Sequence, residues 1–162
     1  MDNMLDNLNP VIIHAARVGN IEVLEELITR KADVNATDEK GYTPLIIACY
    51  NNHYNAVKLL LEAGADVNGQ DLGGNTALMG AAFKGYADIT ELLINNGADL
   101  NLQHGNGGTA LMFATMFGRN EIVKLLLSYG ADKTILDTRD LSVLDLAEQQ
   151  GNDAAIALLK QN

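Results

Sequence analysis

Residues 74–101 read GNTALMGAAFKGYADITELLINNGADLN, and this stretch decides the fold because its pattern returns on both sides at a constant spacing. Thr43, Thr76, Thr109 and Ser142 stand 33 residues apart; Gly64, Gly97 and Gly130 keep that interval, as do Ala48, Ala81, Ala114 and Ala147. A fixed period of this length marks a solenoid, in which no unit can bury its apolar face alone and each stacks on its neighbours. Within the stretch Thr76 opens a short helix, Gly85 turns the chain, a longer helix runs through Ile94, and Gly97 stops it. Each unit is therefore expected to be a helix-turn-helix carrying a polar finger.

Moving towards the N-terminus, Thr43 can cap the next copy's first helix with its hydroxyl, and Pro44 suits a first helical position, where its missing N–H is not needed. Ala48 is small enough for a neighbouring helix to approach closely, Val57, Leu59 and Leu60 line the second helix at core spacing, and Gly64 ends it in the left-handed conformation. The first unit is degenerate: Pro10 holds the Thr slot, Val11 the Pro slot, and Lys31 stands where later units have Gly. Glu26 occupies the register of Leu59, Leu92, Leu125 and Leu158, where a covered carboxylate would be strongly destabilising, so this unit is expected to be an N-terminal cap. At the other end Glu148 takes the register of Cys49, Ala82 and Thr115, and Lys160 that of Leu61, Ile94 and Leu127, which predicts a C-terminal cap. The chain is thus read as one repeat domain over residues 1–162, with units at about 5–37, 38–70, 71–103, 104–136 and 137–162, the first and last acting as caps.

Thr43-Pro44-Leu45, Gly64-Ala65-Asp66-Val67-Asn68, Gly97-Ala98-Asp99-Leu100-Asn101 and Gly130-Ala131-Asp132 resemble the ankyrin repeat family, and the resemblance covers nearly the whole chain. It implies an all-α ankyrin repeat solenoid of about five helix-turn-helix repeats with β-hairpin fingers. It further implies a non-catalytic protein–protein interaction module, monomeric, that binds a partner through its concave face and fingertips; the fold by itself names no partner. Ala77 and Ala110 replace the family's Pro, and Met79 and Met112 its usual His, which removes a side-chain hydrogen bond between units but leaves hydrophobic stacking. Asn68 and Asn101 are expected to hold the adjoining hairpin by bonding local backbone. The segments GAAFKG (80–85) and FATMFGRNE (113–121) are similar to those of small stand-alone bacterial ankyrin proteins, some of them associated with catalase. That similarity implies an alternative function, an accessory or carrier protein for a small ligand, such as haem supply to catalase.

Composition narrows the classes. A formal net charge of −10 with no Lys/Arg-rich run argues against nucleic acid as a partner. Apolar residues make up 48% of the chain while Trp is absent, which suits helices joined through Leu, Ile, Val and Ala rather than an aromatic core. No stretch has the apolar length of a membrane span, so no membrane association is expected. Cys49 is alone and cannot form an internal disulfide, and MDNMLDNLNP has neither a basic start nor a signal-length apolar run, so a cytoplasmic location is expected. Asn35-Ala36-Thr37 matches a glycosylation acceptor, but without an export signal its structural reading is preferred.

The residues capable of chemistry do not assemble into a motif. Cys49 and His53 lie at helical spacing for a nucleophile and base, but Cys49 fills a slot that Ala82 holds in the next unit and His53 falls at the family's Gly-His turn position. His14, His53 and His104 fall in different units, without a metal-ligand spacing. Gly105–Gly108 lacks the Lys-Ser/Thr ending of a phosphate-binding loop and reads as a loose fingertip; Ser128 and Ser142 have no neighbouring His. His104 is unusual because it replaces the Asp of Asp38, Asp71 and Asp137, with Met112 and Met116 in the same unit, which makes it the one haem candidate against the commoner use of Met as core. No catalytic residue, no metal and no cofactor are expected.

The informative positions are those the repeat leaves free to vary. In the family these are the fingertips and the ends of the first helices, here Tyr42, Tyr50 and Asn51, then Leu72, Phe83 and Lys84, then Met116 and Phe117. Aromatic and Met side chains supply much of the energy at protein interfaces, so this row is expected to be a recognition stripe, ringed by Glu39, Lys84 and Gln149. The competing expectation is that some of these rings only fill space between neighbouring first helices.

Overall fold

The computed structural model of the protein describes residues 8–161; the proposed beginning of the first unit near residue 5, the leader reading through residue 7 and Asn162 lie outside them. Among the described residues ten helices follow in pairs: α1 (Asn9–Val18) and α2 (Ile21–Thr29), α3 (Pro44–Tyr50) and α4 (Tyr54–Glu62), α5 (Ala77–Lys84) and α6 (Ala87–Asn95), α7 (Ala110–Met116) and α8 (Asn120–Ser128), α9 (Val143–Gln149) and α10 (Asp153–Leu159). There is no strand among the described residues. The β-hairpin fingers expected from the resemblance are instead tight turns, each closed by a pair of backbone bonds such as Asp71 N to Asn75 O and Gly74 N to Asp71 O, both 2.9 Å.

Hydroxyls start the first helices as the period predicts. Thr43, Thr76, Thr109 and Ser142 each accept a bond from the amide three residues on, and in the last case Asp145 reciprocates by accepting from Ser142 N at 2.9 Å. Pro10 cannot do this, and α1 begins without a side-chain cap. The turns demand left-handed backbone wherever the sequence repeats Gly. Lys31, Asn52 and Asp140 are the non-Gly residues with positive φ among the described residues, and each stands at a register that other units fill with Gly. Asn and Asp tolerate that conformation better than most side chains, so Lys31 is the exception.

First helices stack on first helices and second on second, the first row approaching more closely. The small residues explain it: Ala48, Ala81, Ala82, Ala114 and Ala147 have no exposed surface. In a solenoid the more closely spaced row lies on the inside of the curve, so the face of the first helices is termed the bent face. In the second row Leu60, Leu93 and Leu126 are wholly buried, each worth about 1.5–3 kcal/mol of transfer free energy. Glu26, Glu148 and Lys160 are exposed, as their registers require. Glu26 bonds Arg30 at 2.8 Å on that solvent-facing side.

Asn68 and Asn101 do not bond their own hairpins. Asn35, Asn68 and Asn101 instead accept, through Oδ1, from the amides of Asp66, Asp99 and Asp132 in the following unit, at 2.8, 2.8 and 2.9 Å. The local bonds belong to the aspartates, whose Oδ1 atoms accept from the backbone two residues on. The expectation failed because an Asn side chain at the unit's edge is closer to the next copy than to its own turn. Fingers are also tied in series: Leu72 N to Lys40 O at 3.1 Å, Gly105 N to Gly73 O at 2.8 Å and Thr138 N to Asn106 O at 3.0 Å. Gly105–Gly108 is therefore a fastened finger and not a loose one, with Gly107 and Gly108 buried.

Candidate functional site

The ends of the first helices bring most of the expected stripe together. Tyr50 and Phe83 rings lie parallel, 6.2 Å apart and 8° from coplanar, and Phe83 meets Phe117 edge-on at 4.5 Å. Lys84 Nζ sits 4.8 Å above the Tyr50 ring, an arrangement in which the cation is drawn to the ring face. Tyr50 and Phe117 are 46% and 47% exposed, whereas Phe83, Lys84 and Met116 are half-buried. Phe83 is thus both an element of the row and the filler between two neighbours. Asn51 is exposed and bonds Ile47 O at 2.8 Å, while half-buried Tyr42 follows its finger's turn. Leu72 stands apart on a fingertip, 81% exposed.

Between Tyr42 and Phe113 the face sinks into a hollow of about 450 Å³, walled by Ile46, Ile47, Tyr50, Met79 and Phe83 and reached by Arg17 and Asn51. Gly80 lines part of it. Gly80 stands 33 residues from both Ile47 and Phe113 and 66 from Leu146, so one unit lacks the side chain that its neighbours supply. Its φ is not left-handed, and an added Cβ would meet Tyr50 Cδ2 at 3.7 Å, ordinary contact. Neither backbone nor space requires glycine there, and glycine inside a helix is less stable than alanine by about 1 kcal/mol. This residue and Arg17 went unread in the sequence; the signal available was the gap in an otherwise bulky column.

Charge is spread unevenly, and α9 of the first row carries Asp145 and Glu148. Arg17 and Lys84 are the charged residues of α1, α3, α5 and α7, with no carboxylate on those helices. The second helices carry Glu22, Glu25, Glu26, Glu62, Asp88, Glu91, Glu121 and Asp153 against Lys58 and Lys124. One carboxylate reaches the hollow, that of Asp71, and it is occupied by Gly73 N and Asn75 N at 2.8 and 2.9 Å. Among the described residues no carboxylate pairs with Arg17.

The other chemical candidates resolve into structure. Cys49 is wholly buried, and burial pushes its thiol far above the ordinary range, which keeps it protonated and inert. His53 Nε2 donates to Arg17 O at 2.9 Å, with Gly19 leaving room for the ring; Arg119 Nε does the same to Phe83 O at 3.0 Å beside Gly85. His104 replaces the aspartate in function as well as in register, since its Nδ1 accepts from Asn106 N at 3.0 Å, as Asp71 Oδ1 does from Gly73 N. Gly108 makes space for its ring, which lies 4.9 Å from that of Phe113. Burial lowers the His104 pKa, partly countered by Asp71, so the neutral form that can accept is favoured. His104, Met112 and Met116 do line one hollow, of about 560 Å³.

Two overlapping matches to a family described as ankyrin repeats (3 copies) cover residues 12–104 and 78–162. Over 61 residues the chain is 39% identical to ankyrin repeat domain-containing protein 49 of Drosophila melanogaster, covering 37% of this chain and 28% of that protein. Over 49 residues it is 45% identical to ankyrin repeat domain-containing protein 7 of Homo sapiens, 30% of this chain and 19% of that one. The human mitochondrial disaggregase is 39% identical over 57 residues, 35% of this chain and 8% of that protein. In each case the match spans less than a third of the relative's own length.

Proposed function

The chain belongs to the ankyrin repeat family, whose repeats generally serve protein–protein interaction, and we propose that it binds a partner protein through the bent face of its first helices, without catalysis. The single repeat domain over residues 1–162, its capping units and its monomeric, cytoplasmic state are part of the same reading. The observation that carries it is the Tyr50–Phe83–Phe117 row, which runs across three units and leaves two of its rings about half exposed. Tyr42, Asn51, Leu72, Lys84 and Met116 extend the proposed contact along the row and on to one fingertip. Among the described residues no helix is long and apolar enough to cross a membrane.

Tyr50→Asp with Phe117→Asp tests the reading, because both side chains are exposed enough to change without opening the core. Loss of interface anchors commonly weakens binding by about 2 kcal/mol or more each, so the double variant should fail to retain the partner that the wild-type chain captures from its native extract. Helical circular dichroism should stay at the wild-type level. Glu22→Lys with Glu62→Lys, on the second helices, should capture normally. Capture that survives the first pair and fails with the second would place the binding face on the other row.

A second reading, carriage of a small ligand such as haem, has one observation in its favour, the common hollow of His104, Met112 and Met116. A Soret shift on haem titration that disappears in His104→Ala would support it. No shift in the wild-type chain would dismiss it.

A further inference from the structure

We propose that the hollow lined in part by Gly80 is an anchor pocket for one apolar side chain of an acidic partner segment, with Arg17 and Lys84 holding the flanking carboxylates. The proposal rests on the preceding assignment of the bent face and adds the chemistry of what sits there. Three observations converge on it.

First, the pocket exists because a residue is missing. Ile47 and Phe113 occupy the register of Gly80 in the adjoining units, and a Cβ added at Gly80 would find a backbone that is not left-handed and ordinary contact with Tyr50 at 3.7 Å. A unit built only to stack would fill this column; the glycine leaves a hollow of about 450 Å³ whose walls are Ile46, Ile47, Met79, Phe83 and Phe113. Secondly, those walls are apolar, and the one carboxylate that reaches them, Asp71, is already bonded to its own turn through Gly73 N and Asn75 N. A concave apolar site with a few polar groups at its edge fits an inserted side chain.

Thirdly, the charge at the rim is opposite to that of the chain. The protein carries −10 overall, yet Arg17, which lines the hollow, and Lys84, over the Tyr50 ring, are the charged residues of α1, α3, α5 and α7; Asp145 and Glu148 lie on α9 and Asp38 and Glu39 on the finger beside Tyr42. At physiological ionic strength exposed charges beyond about 8 Å are largely screened, so the charges nearest the hollow act most strongly on a segment lying in it. Arg17 is exposed and can present its guanidinium fork to a carboxylate. Lys84 is held in place over the Tyr50 ring.

The test uses the full chain and three fluorescent twelve-residue peptides: one with a central Phe flanked by Asp, a Lys-flanked counterpart, and an Asp-flanked counterpart with Ala in place of Phe. Anisotropy titrations should show the Asp-flanked Phe peptide binding at least tenfold more tightly than either of the others. Gly80→Ile should weaken that binding at least tenfold while raising Tm, a combination that simple damage to the fold cannot produce. Arg17→Glu with Lys84→Glu should weaken the Asp-flanked peptide and improve the Lys-flanked one. Equal or tighter binding of the Lys-flanked peptide, or unchanged binding by Gly80→Ile, would overturn the proposal. So would sedimentation showing that a second copy of the chain fills the face. Partner capture from native extract separates the pocket from the face: capture that survives Gly80→Ile but not Tyr50→Asp with Phe117→Asp removes the anchor pocket and keeps the face, whereas capture that survives both removes the face as well.

Discussion

The two sides of the array solve different problems. Along the fingers and the loops that leave the second helices, the same bond recurs from unit to unit: Asn35, Asn68 and Asn101 each accept from the amide of an aspartate in the next copy. Gln70 and Gln103 likewise each donate to a carbonyl of the following unit. Along the bent face the lining side chains change from unit to unit. The register of Tyr50 reads Arg17, Tyr50, Phe83, Met116 and Gln149, and that of Gly80 reads His14, Ile47, Gly80, Phe113 and Leu146. Chemistry that repeats is what stacking requires at every interface. Chemistry that changes is free of that requirement, and the bent face is where it is concentrated.

Removing what repeats should therefore hurt stability, and the largest loss should come from the buried leucine column. Leu93→Ala empties a site with no exposed surface and should destabilise by about 2–5 kcal/mol, whereas Glu26→Ala on the solvent side should change little. Equal shifts in the two denaturant melts would break the contrast. Gly97→Val comes next. Nothing lies within 4 Å of a Cβ there, so space is not the obstacle; φ of +88° is, and a β-branched residue held in that region loses about 1–3 kcal/mol. Asn96→Ala beside it, which removes a bond to Leu92 O on an exposed loop, should be milder in the same equilibrium series. Asn101→Ala should lose roughly 0.5–1.5 kcal/mol, the net worth of one hydrogen bond, by freeing the Asp132 amide. If Asn101→Ala left the melt unmoved while Asn51→Ala on the bent face shifted it, the assignment of holding and varying sides would be reversed.

These residues also show what the sequence could and could not tell. The 33-residue interval of threonine, alanine and glycine was enough to place the helix pairs, because caps, close contacts and left-handed turns are set by local chemistry within each unit. The partners of Asn68 and Asn101 were misread because the bond reaches a residue 31 positions away, and no local rule measures that distance. At the face, the ring row was legible from the register; Gly80 was not, since a single glycine inside a helical pattern looks like noise until its neighbours in the stack are seen to be Ile47 and Phe113. Arg17 was missed for a related reason. It lies in the degenerate first unit, where register carries least information, yet it reaches the hollow of the third.

The smallest expected effect sharpens the comparison at one finger. His104 does with a ring nitrogen what Asp38, Asp71 and Asp137 do with a carboxylate. Its folded pKa lies below the ordinary 6.5, so as pH falls through that value the unfolded chain takes up the proton first. Stability from this site is present above about 6.5 and declines below it. Asp137 shows the carboxylate case: burial works to raise its pKa, but the bonds from Arg139 and backbone amides prevail and lower it, so its contribution is lost only at much lower pH. Between pH 7.5 and 5.5, conditions chosen to span about one unit on either side of the ordinary His value, Tm of His104→Asp should fall less than that of the wild type. Parallel slopes would show that the ring nitrogen is not the acceptor that matters.

The most direct measurement of the central claim is backbone amide chemical-shift mapping of the chain as its captured partner is titrated in. The division into a holding side and a recognition side predicts that perturbations concentrate at Tyr50, Gly80, Phe83 and Phe117, and leave the amides of Asp66, Asp99 and Asp132 at their free positions. Perturbations gathered instead on the second helices around Glu62 and Glu91, with the Tyr50 to Phe117 row unchanged, would contradict it.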